Sequence, residues 1–208
     1  MIIRDLHGLI GTITGVVLIT VAALPLAALA VWVLARRRST TGPRARAWKT
    51  SLADIGIVYG TLPWVWMIML PGGRAGDVPG RVSLLPFHDL FTMSTTQVIG
   101  NLLVFAALGF FVPLRFPALA SVPRILLLGA CGSALVETAQ YILQLDRVSS
   151  VDDILLNAAG AGLTALASRH WWRTTANASS DRLPPTPEPH EGPSDNAVVR
   201  TPSRTHRP

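Results

Sequence analysis

The sequence predicts an all-α fold: a polytopic membrane bundle of about five transmembrane helices with a disordered carboxy-terminal tail. Three observations predict it. Half of the 208 residues are hydrophobic and only 14% are charged, with a mean hydropathy of +0.41, too little charge to cover a soluble domain of this size. Apolar runs of bilayer-crossing length, about 20 residues each, recur along the chain. Lys and Arg collect in alternate intervals between those runs, as they do in inserted helical proteins.

Residues 9–34 are apolar throughout and form the first span. A signal peptide would have an apolar core of only about 7–15 residues, preceded by positive charge. Here the basic block, Arg36 to Lys49, follows the run, so an uncleaved helix is expected, kinked at Pro25 where one backbone bond is lost. The second span covers about 51–70, with Asp54 near its start and Trp64 and Trp66 toward its far interface. Residues 71–96 are rich in Gly and Pro and read as a long loop. The third span covers about 97–114, the fourth 122–145 and the fifth 151–168, closed by Trp171 and Trp172. Beyond residue 173 the chain is rich in Pro, Ser and Thr without apolar periodicity, hence the tail. Three units result: 1–50, first helix and basic loop; 51–173, a membrane domain; 174–208, the tail.

Fourteen of the 18 Lys and Arg residues fall in 35–50, 115–124 and 169–208; the other four are Arg4, Arg74, Arg81 and Arg147. The positive-inside rule places the larger group in the cytoplasm, and the amino terminus and the 71–96 loop outside.

With that orientation every strongly polar residue inside the spans except Asp54 falls in the outer leaflet. Burying a carboxylate in hydrocarbon costs about 2.5–3.5 kcal/mol even on the mildest scale, so such groups persist where they find partners, water or a ligand. Gly129, Ser133, Glu137, Gln140 and Gln144 follow helical steps of four, four, three and four, and Asp153, Asn157, Gly160 and Thr164 form a second stripe. The short 146–150 connection makes these helices antiparallel neighbours. Glu137 lies about 12 Å inward from Leu145 and Asn157 about 9 Å inward from Val151, so the stripes can face each other at similar depth. Gly129, Ser133, Ala158, Gly160, Ala161 and Gly162 provide a small-residue seam, and Arg147 is near enough to reach Glu137 or Asp153. Asn101 and Gln97 start the third span at the same level. The candidate ligand-binding set is Asn101, Glu137, Gln140, Arg147, Asp152, Asp153 and Asn157. The competing structural reading is interhelical glue, with Asp152 and Asp153 as a solvated helix start and His88–Asp89 as an ordinary solvated pair.

Other classes are poorly served. Cys131 is the one cysteine and the five histidines are scattered, so no disulfide, metal or other cofactor is expected. The excess of six positive charges sits in inter-helix segments and the tail rather than on a groove-reading surface, which argues against nucleic acid.

In order and spacing, Leu84-Leu85-Pro86-Phe87, Asn101-x3-Phe105-x3-Gly109-x3-Pro113, Glu137-x2-Gln140 and Arg147-x4-Asp152-Asp153-x3-Asn157-x2-Gly160 resemble the VanZ-like family of bacterial membrane proteins. The resemblance runs from about residue 84 to 162. It departs at Val148-Ser149-Ser150-Val151, where an aromatic and a further acid are expected. The family takes its name from a member associated with teicoplanin resistance, without an established reaction. The leading expectation is a cell-envelope protein that binds membrane lipid, a lipid-linked envelope precursor or a lipoglycopeptide. One alternative is a membrane-embedded enzyme with Glu137 as general base and Asp152 and Asp153 as metal or proton-transfer partners. It has no G-x-S-x-G or H-E-x-x-H motif to support it. The other is a small-molecule transporter, for which no internal repeat is evident.

Overall fold

The computed structural model describes residues 11–77 and 79–172; the expected tail at 174–208 and the Arg4 segment lie outside them. The elements in chain order are α1 (Ile13–Ser39), α2 (Arg44–Ile68), β1 (Arg81–Ser83), α3 (Thr95–Val104), α4 (Ala106–Arg115), a 3-10 turn (Pro117–Leu119), α5 (Val122–Ile142), β2 (Val148–Ser150) and α6 (Val151–Ala167). Among the described residues, four stretches are long and apolar enough to cross a membrane: α1, α2, α3 with α4, and α5. The fifth expected span, α6, has 17 residues, about 25 Å of helix, and helical turns resume over 169–172.

The helices begin where local chemistry satisfies their first N–H groups. Thr12, Ser121 and Ser150 cap α1, α5 and α6 through their hydroxyls. Ser94 and Gln97 form a reciprocal capping box at α3, so Gln97 is engaged in starting its helix. α1 runs uninterrupted through Pro25 and ends on Arg36, Arg37 and Arg38, favourably placed at the negative end of its dipole.

The core gathers around α6. Val104, Phe105, Val112, Ile125, Ala161 and Ala165 form one buried cluster drawn from α3, α4, α5 and α6. Small residues permit the close approach. A Cβ on Gly160 would collide with the carbonyl of Leu102 on α3, and one on Gly109 with the carbonyl of Ala161; only backbones without side chains meet there. α1 is peripheral by contrast. It packs on α2, tied by the Tyr59 hydroxyl donating to Thr20 O at 2.5 Å. It turns Val17, Val21, Leu24 and Leu29 outward, as a lipid-facing helix should.

Four expectations need correction. The 71–96 segment is not all loop: β1 pairs in parallel with β2, Arg81 opposite Val148 through Ser83 opposite Ser150. A parallel pair requires a long crossover, supplied here by α3, α4 and α5, which a local pattern cannot reveal. The third span is two helices broken at Phe105 (φ −111°, ψ 16°), with no Gly or Pro to announce it. Arg44, Arg46 and Lys49 lie within α2 rather than in a loop. Finally, α5 ends at Ile142, and Gln144 is exposed with φ +50°, off the polar stripe.

Candidate functional site: a polar recess between α5 and α6

The two helices meet with their polar stripes facing. Ser133, Glu137 and Gln140 are all buried on α5, as are Asp152 and Asn157 on α6. Asn157 Nδ2 donates to Ser133 Oγ at 2.7 Å, the link that sets their register. From α3, Asn101 donates its amide to Asp153 Oδ1. Gln140 Nε2 donates to Ile68 O at 2.8 Å, satisfying a carbonyl at the end of α2. Arg147 projects from the α5–α6 connection, with Nη2 3.4 Å from Leu70 O.

These groups surround a single recess of about 90 Å³ lined by Asn101, Glu137, Gln140, Arg147, Asp153 and Asn157, with Gln97, Ile68 and Val148 at its edges. Six of the seven residues selected from sequence therefore share one cavity. Glu137 is 8% exposed and is held by the strand beyond it. Ser150 N donates to Glu137 Oε2 at 3.2 Å, and Ser149 Oγ donates to Glu137 O at 2.9 Å. The serines at which the chain departs from the family pattern are thus the ones that fasten the glutamate. Asn157 Oδ1 is buried without a hydrogen-bond partner, a condition that costs about 1–3 kcal/mol and that folded proteins seldom leave in place.

Glu137 also lines an adjoining groove of about 250 Å³, bounded by Val82, Leu84, Tyr141, Val151 and Ile154. The carboxylate thus borders a polar cavity and an apolar one. A larger apolar crevice of about 420 Å³, by Leu52, Phe110, Phe111 and Trp171, lies near the basic ends of the helices and contains none of the selected residues.

The seventh residue, Asp152, is elsewhere. It is 2% exposed and turned toward the 87–90 segment. Its Oδ1 accepts from Phe87 N at 2.6 Å, and its Oδ2 from Asp89 N and Leu90 N, each at 2.9 Å. Three backbone bonds occupy this carboxylate, which clamps the turn where Phe87 adopts φ +64°. Asp89 in turn accepts from Ser150 Oγ at 2.8 Å and pairs with His88 at 3.1 Å, so it is more than the solvated pair expected. Hydrogen bonds from the hydroxyl of Ser83, then His88 and Ser150, hold its carboxyl down at about 2 from an ordinary 3.8. Thr164 folds back on Gly160 O and Ala161 O and takes no part in the recess.

Sequence reasoning missed the polar cluster at the opposite end. Asp54 on α2 binds Arg38 of α1 at 2.7 Å and Arg115 of α4 at 2.5 Å, joining three helices. A lone acid just after the basic block from Arg36 to Lys49 was the available signal. Asp146 was missed too: it sits at φ +53°, accepts from Arg74 N at 3.2 Å and lies 3.8–3.9 Å from the Arg81 and Arg74 guanidiniums, bracing the segment that carries those two arginines.

Comparison with known proteins agrees with this architecture. The family model described as VanZ/LLP1 matches residues 57–172, more than half of the chain and wider than the motif-bearing stretch from 84 to 162, since it begins midway along α2 and runs past the end of α6. No curated protein and no solved structure matches the chain. Phe105, Gly109, Asn157 and Gly160 are buried where the helices meet, and Asn101, Glu137, Gln140 and Arg147 line the recess beside them; the chain belongs to the VanZ-like family.

Proposed function

We propose that this protein binds an amphiphile of the bacterial cell envelope from the outer leaflet of the plasma membrane. The head group enters the recess and the apolar part lies against the neighbouring groove. The observation that carries this reading is the position of Glu137, shared between a polar cavity of about 90 Å³ and an apolar groove of about 250 Å³. Arg147 at the mouth suits a phosphate, because its planar fork binds two oxygens at once. The basic ends of α1, α2 and α4 face the cytoplasm in this reading, which follows the distribution of arginines. The ligands considered are a membrane lipid, a lipid-linked envelope precursor and a lipoglycopeptide. The cellular consequence is altered tolerance to teicoplanin.

Single cysteines introduced at positions 140, 147 and 153, with Cys131 replaced by Ser, test the reading. They should be labelled by an impermeant maleimide from outside intact cells and protected by added amphiphile. In a strain whose teicoplanin tolerance depends on this protein, Arg147→Ala and Glu137→Gln should each abolish that tolerance at unchanged membrane levels. Labelling from the inside only, or tolerance retained by both variants, overturns it. The pairing of two carboxylates in one recess also favours a second reading, an enzyme acting on an envelope lipid or peptidoglycan precursor. Turnover of such a precursor by the purified protein would establish it.

A further inference from the structure

The recess brings two carboxylic side chains together with a buried amide oxygen that has no partner. Four of its side chains spend a donor on the protein: the Asn101 amide on Asp153, the Gln140 amide on Ile68 O, the Asn157 amide on Ser133 and Arg147 Nη2 on Leu70 O. Glu137 and Asp153 line the cavity, as does Asn157, a residue only 2% exposed whose Oδ1 is buried and has no hydrogen-bond partner. A buried amide oxygen beside two carboxylates lacks one thing, a compact group with several N–H donors.

We propose that the recess binds a primary ammonium group, with Glu137, Asp153 and Asn157 Oδ1 as its three acceptors. This rests on the reading above that the recess is a ligand site, and it names the ligand's chemistry. An ammonium carries three N–H donors and no acceptor, matching three acceptors offered by two helices. A cavity of about 90 Å³ takes such a group with its first methylenes and leaves the acyl chains outside. Arg147, exposed at the mouth, stands where the phosphate of a phosphoethanolamine head group would follow its amine. A metal ion fits less well: among the described residues no group of three or more His, Cys, Asp or Glu gathers to hold one. A quaternary ammonium, which has no N–H, could donate to none of the three. The recess therefore distinguishes amine from trimethylamine.

The amine has two sources, a phospholipid and a small free amine, and the experiment separates them. Purified full-length protein in detergent, stripped of lipid, is offered equimolar phosphatidylethanolamine, phosphatidylcholine and phosphatidylglycerol of identical chains. Retained lipid is weighed on the intact complex by mass spectrometry. A second arm measures thermal protection by free ethanolamine. Retention of phosphatidylethanolamine about tenfold above both others, lost in Glu137→Gln/Asp153→Asn, supports the lipid source. Protection by ethanolamine without lipid selectivity supports the same chemistry from the free amine. Equal retention of all three lipids with no ethanolamine effect overturns the ammonium site and leaves amphiphile binding standing. No retained lipid and no ethanolamine effect overturns both. The wild-type arms need no variant to fold.

Discussion

Two carboxylate clusters lie at opposite ends of this bundle and are built on opposite principles. At the basic end Asp54 meets two guanidiniums at 2.7 and 2.5 Å. Its charge is answered twice over and it closes three helices upon one another. In the recess, Glu137 and Asp153 receive a backbone N–H and an amide, and among the described residues neither makes an ion pair within 4 Å. Asp152, one residue before Asp153, sides with Asp54, since its oxygens are taken up by three backbone N–H groups. The contrast teaches how to sort buried acids in a membrane bundle. A carboxylate whose bonds are completed by the protein holds the fold together, and one left short of donors inside a cavity is available to something else. Adjacent aspartates in one helical turn fall on different sides of that division.

The largest effect should come from Asp152→Ala. Removing an acceptor shared by Phe87, Asp89 and Leu90 leaves three N–H groups to find water, at a net cost of about 3 kcal/mol after the loop relaxes. Thermal unfolding should shift accordingly, and proteolysis should open the chain within residues 84–92. An unaltered loop would place Asp152 with the available acids and dissolve the distinction.

A neutral isostere at each end gives the next test. Asp54→Asn should lose about 1–2 kcal/mol, between the small value of exposed ion pairs and the larger one of buried pairs, because Arg38 and Arg115 are left facing each other. Glu137→Gln keeps an oxygen for Ser150 N and should change stability by less than about 0.5 kcal/mol, or raise it, as substitutions in functional sites often do. Equal losses in chemical unfolding of the two variants would mean that both acids serve the fold alone.

The smallest effect is a pH dependence in the 84–92 segment that Asp152 clamps. Asp89 is lowered from 3.8 to about 2 by bonds to Ser83, His88 and Ser150. A depressed carboxyl contributes stability that is fully present above its unfolded value and fades as pH falls through the folded one. Hydrogen exchange of the 84–92 amides should therefore quicken, relative to its intrinsic rate, between about pH 4 and pH 2. Asp89→Asn should flatten that response.

Much of the architecture was legible in residue order because a bilayer leaves a chain few choices. Apolar runs about 20 residues long must be helices, since hydrocarbon offers backbone groups no other partner. Steps of three and four put Ser133, Glu137 and Gln140 on one face whatever surrounds them, and the short connection before α6 brought Asn157 opposite. Tertiary structure decided everything that depends on distant segments: the parallel pairing of residues 81–83 with 148–150, the break at Phe105 and the joining of Arg38, Asp54 and Arg115. It also decided that Asp153 turns inward to Asn101 while Asp152 turns to the turn at Phe87. Neighbouring side chains on a helix point about 100° apart, and which direction meets a cavity and which meets a loop is settled only when the other helices have packed.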